Sequence, residues 1–425
     1  QSPISRIRSE TMPIKIYNSL SKQKEDFIPL QGRKVNIYSC GVTVYDRCHI
    51  GHARSLYVFD LITRYLRHRG YEVHFVRNIT DVDDKIINKS IETKKSFDEV
   101  VTENITAYYE DMRQLGVKRA DIEPRATENI DEIIAFVLKL IDKGFAYAVK
   151  GNVYFCVRQF KDYGKLSGQS IEKMHEAVRI DQDPHKKDPL DFALWKAVTN
   201  DGEKFWESPW GRGRPGWHIE CSCMSMRHLN TETLDIHAGG RDLIFPHHEN
   251  EIAQSQALTG KMFAKYWIHH GLLTINGQKM AKSSGNFITI SDVLKDYDVN
   301  ILKLFFLSSH YASAVDYSKE KMEEMIKKYE RINIFGTKVN RIEGNVVGDY
   351  DSECSAFSAH FYEAMDDDFN TPQALAGLFD FIHEGNRLID AGASREKLSQ
   401  YKKLFSEMMA LLGLSFKGGD TLEKT

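Results

Sequence analysis

The sequence predicts an α/β protein whose parallel sheet is split by an insertion and followed by an all-α helical bundle. Three observations carry this. KVNIYS (34–39), ARSLYVFDLITRYLRHRG (53–70) and YEVHFVRNIT (71–80) read as strand, helix and strand, a βαβ crossover that requires a parallel sheet. A second strand set recurs at TLDIHAGG (233–240) and YWIHHG (266–271), far along the chain. Beyond about residue 296 the apolar period is helical throughout, as in NILKLFFLSSHY and TPQALAGLFDFIHEGNRLID.

Each element has its local reason. KVNIYS is a short apolar run suited to a buried strand, and it delivers Cys40 to the carboxyl end, where parallel sheets bind ligands. In the following helix Leu56, Phe59, Ile62 and Leu66 share one face, and Gly70 suits the C-terminal cap. From about 90 to 145 the pattern is helical, and GNVYFCV through DPLDFALWK is strand-and-loop material rich in Asp, Lys and Pro, which reads as an insertion. FPHHENE opens a helix near Pro246. LLTINGQKM carries Asn276-Gly277, a two-residue hairpin turn. In the tail, Thr371 is the expected N-cap, with Pro372 at the first helical position.

The chain of 425 residues is long enough for two or three domains, and 42% hydrophobic with 28% charged content belongs to a folded protein. No apolar run approaches the roughly 18–20 residues that span a bilayer, so no membrane association is expected. Residues 1–11 precede the first methionine, Met12, and lack an apolar signal core; they read as a leader or disordered extension outside the fold. Six cysteines in a long chain without a secretion signal point to a reducing, cytoplasmic setting in which thiols are buried, reactive or metal-bound. Cys48, Cys156 and Cys354 read as small apolar residues. A net charge of −3 gives no global attraction for polyanions, so nucleic-acid contact would need local basic patches.

FPHHENE concentrates polar chemistry. His247 and Glu251 stand at i, i+4 and His248 and Glu251 at i, i+3, so either histidine can share a helix face with the carboxylate. A polar first turn of a surface helix accounts for the segment equally well. HIECSCMS adds Cys221 and Cys223, and Cys40 waits at a strand end; two thiolates, an imidazole and a carboxylate match zinc. CHIGHARS brackets a glycine with His49 and His52 at a strand-to-helix junction, a place for phosphate oxygens or simply for helix caps. GQKMAKSSGN sets Lys279 and Lys282 in a loop rich in glycine and serine. Together they suggest a phosphate clamp built from both halves of the sheet.

These residues resemble the signatures of class I aminoacyl-tRNA synthetases: HIGH at 49–52 and KMAKS at 279–283, against KMSKS. Within that class the chain is most similar to the cysteinyl-tRNA synthetase family, through CGVTVYD, NITDVDDKI, YGKLS, DPLDFALWK, GRPGWHIECS, DIHAGGRDLIFPHHENEIAQ and DDDFNTPQAL. The resemblance implies a Rossmann-like catalytic domain in two halves, 12–115 and 208–275, around an inserted connective domain at 116–207. It further implies a KMSKS loop and stem-contact region at 276–318 and a helical tRNA/anticodon-binding domain at 319–425. That last domain stops short of the small terminal module of many relatives.

The same resemblance places one Zn²⁺ per chain on Cys40, Cys221, His247 and Glu251, leaving Cys223 outside the pattern. It puts the amino acid against Gly41, Thr80, Trp217 and His237, and the nucleotide against His49, His52, Gly240, Asp242, Lys279 and Lys282. The implied substrates are ATP with Mg²⁺, L-cysteine and tRNA(Cys), the implied assembly is a monomer, and His49, His52, Lys279 and Lys282 carry catalysis. Metal selection suits this amino acid. An apolar pocket resolves a small group by only about 1–3 kcal/mol, whereas 10⁴-fold rejection of serine requires about 5.5 kcal/mol. Val42, Ala281 and Ser284 depart from the family pattern without removing a charge. Two other readings share these motifs: a tRNA-independent cysteine ligase of thiol biosynthesis, and a non-catalytic zinc- or RNA-binding paralogue.

Overall fold

The computed structural model describes residues 13–177, 183–200, 203–280, 285–342 and 350–417. The extension at 1–11 and the residues Ala281, Lys282 and Ser284 lie outside the described residues. The central layer is built from β1 (Lys34–Ser39), α1 (Ile50–His68), β2 (Glu72–Arg77), α2 (Trp217–Leu229), β3 (Leu234–Gly240), α3 (Glu249–Thr259) and β4 (Ala264–His270). All neighbours in the sheet are parallel, in the order β4-β3-β1-β2, with Tyr38 of β1 in register with Val76 on one side and His237 on the other. The connection from β1 to β2 runs one way and that from β3 to β4 the other. The crevice between the carboxyl ends of β1 and β3 is therefore the switch point at which such sheets bind ligands.

Leu56, Phe59, Ile62 and Leu66 of α1 are buried as their period predicts, but so are Tyr57, Val58, Leu61 and Tyr65. The reason is that α1 is covered on its other side by the tail. There α4 (Lys319–Asn340), α5 (Ser352–Asp366), α6 (Thr371–Asp390) and α7 (Arg395–Leu412) form the helical domain. The carbonyls that end α7 are capped from outside it: Tyr57 Oη donates to Leu412 O (2.5 Å), Arg64 to Leu411 O (3.0 Å) and Lys303 Nζ to Gly413 O (2.8 Å). The cap of α6 is one residue earlier than predicted. Asn370 is the N-cap, its side chain accepting from Gln373 N, while Thr371 is already helical and donates its hydroxyl to Leu307 O at 3.0 Å.

The insertion holds an antiparallel sheet of Ala146–Val149, Asn152–Phe155, Phe192–Ala197 and Gly213–Pro215. It runs past the expected boundary at 207 because Pro215 pairs with Trp195, and the chain then enters α2 directly at Trp217. Asn276 (φ 48°) and Gly277 (φ 76°) are both left-handed, as a two-residue hairpin turn demands. The hairpin's first strand, Leu273–Ile275, pairs with Gln278–Lys279 on one edge and in parallel with Val315–Tyr317 on the other. The region beyond 296 is therefore not uniformly helical; Val315–Tyr317 satisfies a strand edge that would otherwise lie open. Among the described residues no helix is long and apolar enough to cross a membrane.

Candidate active site

The structure brings Cys40, Cys221, His247 and Glu251 together at the switch point, with one donor atom from each lying within 4.8 Å of the others. Cys40 directly follows β1, Cys221 lies on α2, and His247 and Glu251 flank the start of α3. Regular helix begins at Glu249, three residues after the expected start near Pro246, because the wide turn Ile244–His248, with an extended Phe245 (φ −136°, ψ 132°), precedes it. Cys40 Sγ lies 3.7 Å from Cys221 Sγ and 3.4 Å from Glu251 Oε1. His247 Nε2 is 3.1 Å from the same carboxylate oxygen, yet this buried nitrogen makes no hydrogen bond. Donor atoms drawn this close, with the His247 nitrogen unpartnered and only the Cys40 thiol bridging to Cys221 and Glu251, are the geometry of a cation site, and two sulfurs, an imidazole and a carboxylate suit zinc.

The electrostatics prepare these donors. Burial raises the Glu251 carboxyl, but His237 and His247 overrule it and hold it down to about 2. Burial likewise raises the Cys221 thiol, and the hydrogen bond from Cys40 helps bring it down to about 6. Metal binding needs ligands that have lost their protons. Glu251 and Cys221 are held toward that form. Burial and Cys221 raise the Cys40 thiol well above its usual range, and burial lowers His247 but Glu251 and Cys221 overrule it and raise it to about 10, so these two give up protons when a metal binds. The second oxygen of Glu251 accepts from His237 Nε2 at 2.8 Å, so His237, expected against the amino acid, also orients this carboxylate. His248, the alternative by spacing, sits 3.3 Å from Cys40 Sγ and belongs to an overlapping group of donors with Cys40, His237 and Glu251. Its other nitrogen is tied to His269 at 2.8 Å, and His269 to Ser19 at 2.8 Å. The group containing His247 holds two sulfurs and the other only one, which favours His247 for zinc.

The remaining expected amino-acid contacts surround this cluster. Gly41 must be glycine: a Cβ there would stand 1.7 Å from Asn78 O, and the Gly41 N–H donates to Asn78 Oδ1 at 2.9 Å. Thr80 donates its hydroxyl to buried Glu220 at 3.1 Å. Trp217 is 38% exposed and stacks on His247 with ring centres 4.2 Å apart, so it is a wall of the site and not a core anchor.

On the nucleotide side, His49 is the N-cap of α1. His49 Nδ1 accepts from Gly51 N (3.0 Å) and His52 N (3.4 Å), while His52 Nδ1 accepts from His49 N (3.3 Å). The rings stack with centroids 3.8 Å apart, and a Cβ on Gly51 would press within 2.8 Å of the His49 ring. Burial brings His49 down to about 4 and His52 well below its usual range, so both are neutral near pH 7. A neutral imidazole whose Nδ1 accepts must carry its proton on Nε2, leaving a donor for an anion. The capping seen here therefore leaves the Nε2 donors that the phosphate reading needs. Gly240 ends β3 and Asp242 follows, exposed, in the turn Arg241–Leu243; Lys279 is exposed on the hairpin.

Comparison with known proteins identifies the family. The family described as "tRNA synthetases class I (C) catalytic domain" matches residues 26–327, and a "DALR domain" matches 360–417. Curated relatives named "Cysteine--tRNA ligase" include one from Sulfurihydrogenibium sp. (strain YO3AOP1), 52% identical over 92% of this chain and 82% of its own length. Another, from Persephonella marina, is 50% identical over 96% of this chain and 85% of its own. The chain belongs to the cysteine–tRNA ligase family. Its fold is also that of a Mycobacterium tuberculosis methionyl-tRNA synthetase in complex with methionyl-adenylate (TM-score 0.64, 14% identity, 89% of each chain). The same holds for a putative arginyl-tRNA synthetase from Campylobacter jejuni (TM-score 0.62, 14% identity, 91% of this chain and 93% of that one).

Two residues of this family member were missed by sequence reasoning. His218 lies 2.8 Å from His247, Nδ1 to Nδ1, and so fixes which nitrogen of His247 faces the two sulfurs. Asn78 holds Gly41 through its side-chain oxygen and Thr80 through its amide, at 3.1 Å. The only signal for either was adjacency: His218 stands beside Trp217 in GRPGWHIECS, and Asn78 is two residues before Thr80.

Proposed function

We propose that this chain is a cytoplasmic, monomeric cysteine–tRNA ligase that holds one zinc on Cys40, Cys221, His247 and Glu251, with Cys223 taking no part. The observation that carries the reading is the convergence of these four donors, two of them thiol sulfurs, beside a pair of histidines capping α1. When bound, the zinc supplies a soft Lewis acid that favours a thiolate over the hydroxyl of serine. The chain's own residues do the rest. Gly41, by lacking a Cβ, lets the Asn78 carbonyl close up beside the end of β1 and offers its backbone to the substrate there, Thr80 and Trp217 wall the pocket, and His237 orients both Glu251 and the substrate.

ATP binds as its Mg²⁺ complex, its ribose toward Gly240 and Asp242. The substrate carboxylate, already ionised, attacks the α-phosphorus, and the bond to the pyrophosphate oxygen breaks. The Nε2–H groups of His49 and His52 and the ammonium groups of Lys279 and Lys282 stabilise the charge that builds on the phosphates. A ribose hydroxyl at the 3′ end of tRNA, the 2′ oxygen, then attacks the acyl carbon and AMP leaves. The helices matched by the DALR family support tRNA as the acceptor. The test is cysteine-dependent ATP–pyrophosphate exchange beside tRNA charging. Both are expected; exchange without charging would favour transfer to a sugar amine, and neither would favour a binding protein without catalysis.

A further inference from the structure

Arg54 lies on α1 two residues beyond His52, is 0% exposed, and has no carboxylate partner among the described residues. A buried guanidinium must spend its donors on something else. Here both terminal nitrogens go to backbone carbonyls of two segments, while Nε is buried without a hydrogen-bond partner among the described residues. Nη1 donates to Gly271 O (2.9 Å) and Leu272 O (3.1 Å), and Nη2 to His310 O (3.3 Å), Tyr311 O (3.2 Å) and Ser313 O (2.6 Å).

Those segments are the two roots of one small sheet. Leu272 runs directly into Leu273–Ile275, the strand whose turn returns as Gln278–Lys279, and Ser313 stands two residues before Val315–Tyr317, its parallel neighbour. The roots also join each other, Gly271 N to Tyr311 O at 2.8 Å and Val315 N to Leu272 O at 2.9 Å. They pass so close that a Cβ on Gly271 would lie 2.1 Å from Ser313 O. Five carbonyls crowded around one point repel one another unless a cation or several donors sit among them, and Arg54 supplies both. Its fork also ties them to the helix whose first turn carries His49 and His52.

We propose that Arg54 is the positioning residue that sets the Lys279 hairpin at its working distance from the His49–His52 pair, and so governs adenylate formation; the proposal rests on the function given above. Arg54 touches no reacting atom. It acts by fixing where one cation of the phosphate clamp stands relative to the other half. The second step displaces AMP and has no pyrophosphate for the hairpin to hold, so at saturating tRNA its rate is indifferent to Arg54. The proposed zinc donors lie just after β1, on α2, and in the turn and first residues of α3, and do not depend on it either.

The test separates the two steps. In Arg54→Met and in Arg54→Lys, whose single ammonium cannot fork to both roots, the kcat of ATP–pyrophosphate exchange is expected to fall by about 10- to 100-fold, the size of effect a misplacement near 1 Å produces. Bound zinc and the KM for cysteine should stay within about twofold, as set by contacts Arg54 does not make. Adenylate is then accumulated on each variant with cysteine, ATP and pyrophosphatase and mixed with tRNA. Single-turnover transfer at the unmodified rate supports positioning. Parallel losses in exchange, transfer and zinc content in the Lys variant would mean a merely structural residue and overturn the proposal, as would unchanged exchange. Absence of exchange in the unmodified chain is a different failure: it overturns the proposed function and this assignment with it.

Discussion

The two halves of the candidate site are built in opposite ways. Around Cys221, His247 and Glu251 every donor is buried, and nearly every second atom is held: His247 by His218, Glu251 by His237, His248 by His269. On the nucleotide side His49 and His52 are only partly covered and Lys279 is exposed. Under the proposed function, the difference follows from what each half would do. Telling sulfur from oxygen requires donors that do not yield, so they are locked on rigid elements. Charge on phosphates is diffuse and leaves with the product, so it is met by groups at a helix start and on a hairpin open to water.

The largest expected effect breaks the locked half. Cys221→Ala should lose bound zinc and reduce cysteine-dependent exchange by about 10³-fold or more, since a ligand removed is worth more than the 10- to 100-fold of an outer contact. A variant that keeps a full complement of zinc by elemental analysis and still prefers cysteine to serine would refute the ligand set. Lys279→Ala attacks the open half: a fall of about 10²-fold in exchange kcat, with zinc content unchanged, is expected for the loss of one group that meets developing charge. If zinc is lost as well, the halves are not independent.

Acid acts on the stability of both halves through their buried histidines. Burial holds His269 down to about 3 and His270 to about 4. Between about pH 6.5 and 4 the unfolded chain protonates these histidines and the folded chain does not, so the unfolded state binds more protons. Their contribution is complete above pH 6.5 and is lost as the pH falls toward 4, each adding a slope of about 1.4 kcal/mol per pH unit. Denaturant titrations at several pH values should lose that slope in part in His270→Phe; a slope identical to that of the unmodified chain would refute the assignment.

His218→Ala should weaken zinc by about 10-fold without abolishing it, measured by competition with a chelator, because it orients a ligand and is not one. Equal affinity would show that His247 needs no such support. The smallest effect is expected at Cys223, which is buried away from the four donors with its thiol pushed up to about 12 by burial. Cys223→Ser should leave zinc and exchange within about twofold, and a larger change would mean that a third sulfur takes part.

Much of this was legible in the residues themselves. The βαβ crossover, the helical tail and the hairpin at Asn276-Gly277 follow from apolar period and turn chemistry, which act between near neighbours. The misses were of another kind. The cap of α6 moved from Thr371 to Asn370 because the Thr371 hydroxyl found Leu307 O across the fold, and Val315–Tyr317 became a strand only because Leu273–Ile275 lay beside it. Neither signal exists in a local window.

By itself the sequence determined the inventory: which residues can cap, turn, cross over or give up a proton, and at what intervals they stand. Tertiary structure alone decided which of them meet. FPHHENE offers two histidines at nearly equal spacing from Glu251, and only the packing of α2 against α3 sets Cys221 beside His247 and backs that imidazole with His218. Spacing along a chain constrains direction on one helix; convergence of atoms from four elements on one point is a property of packing, which burial enforces and local sequence does not encode.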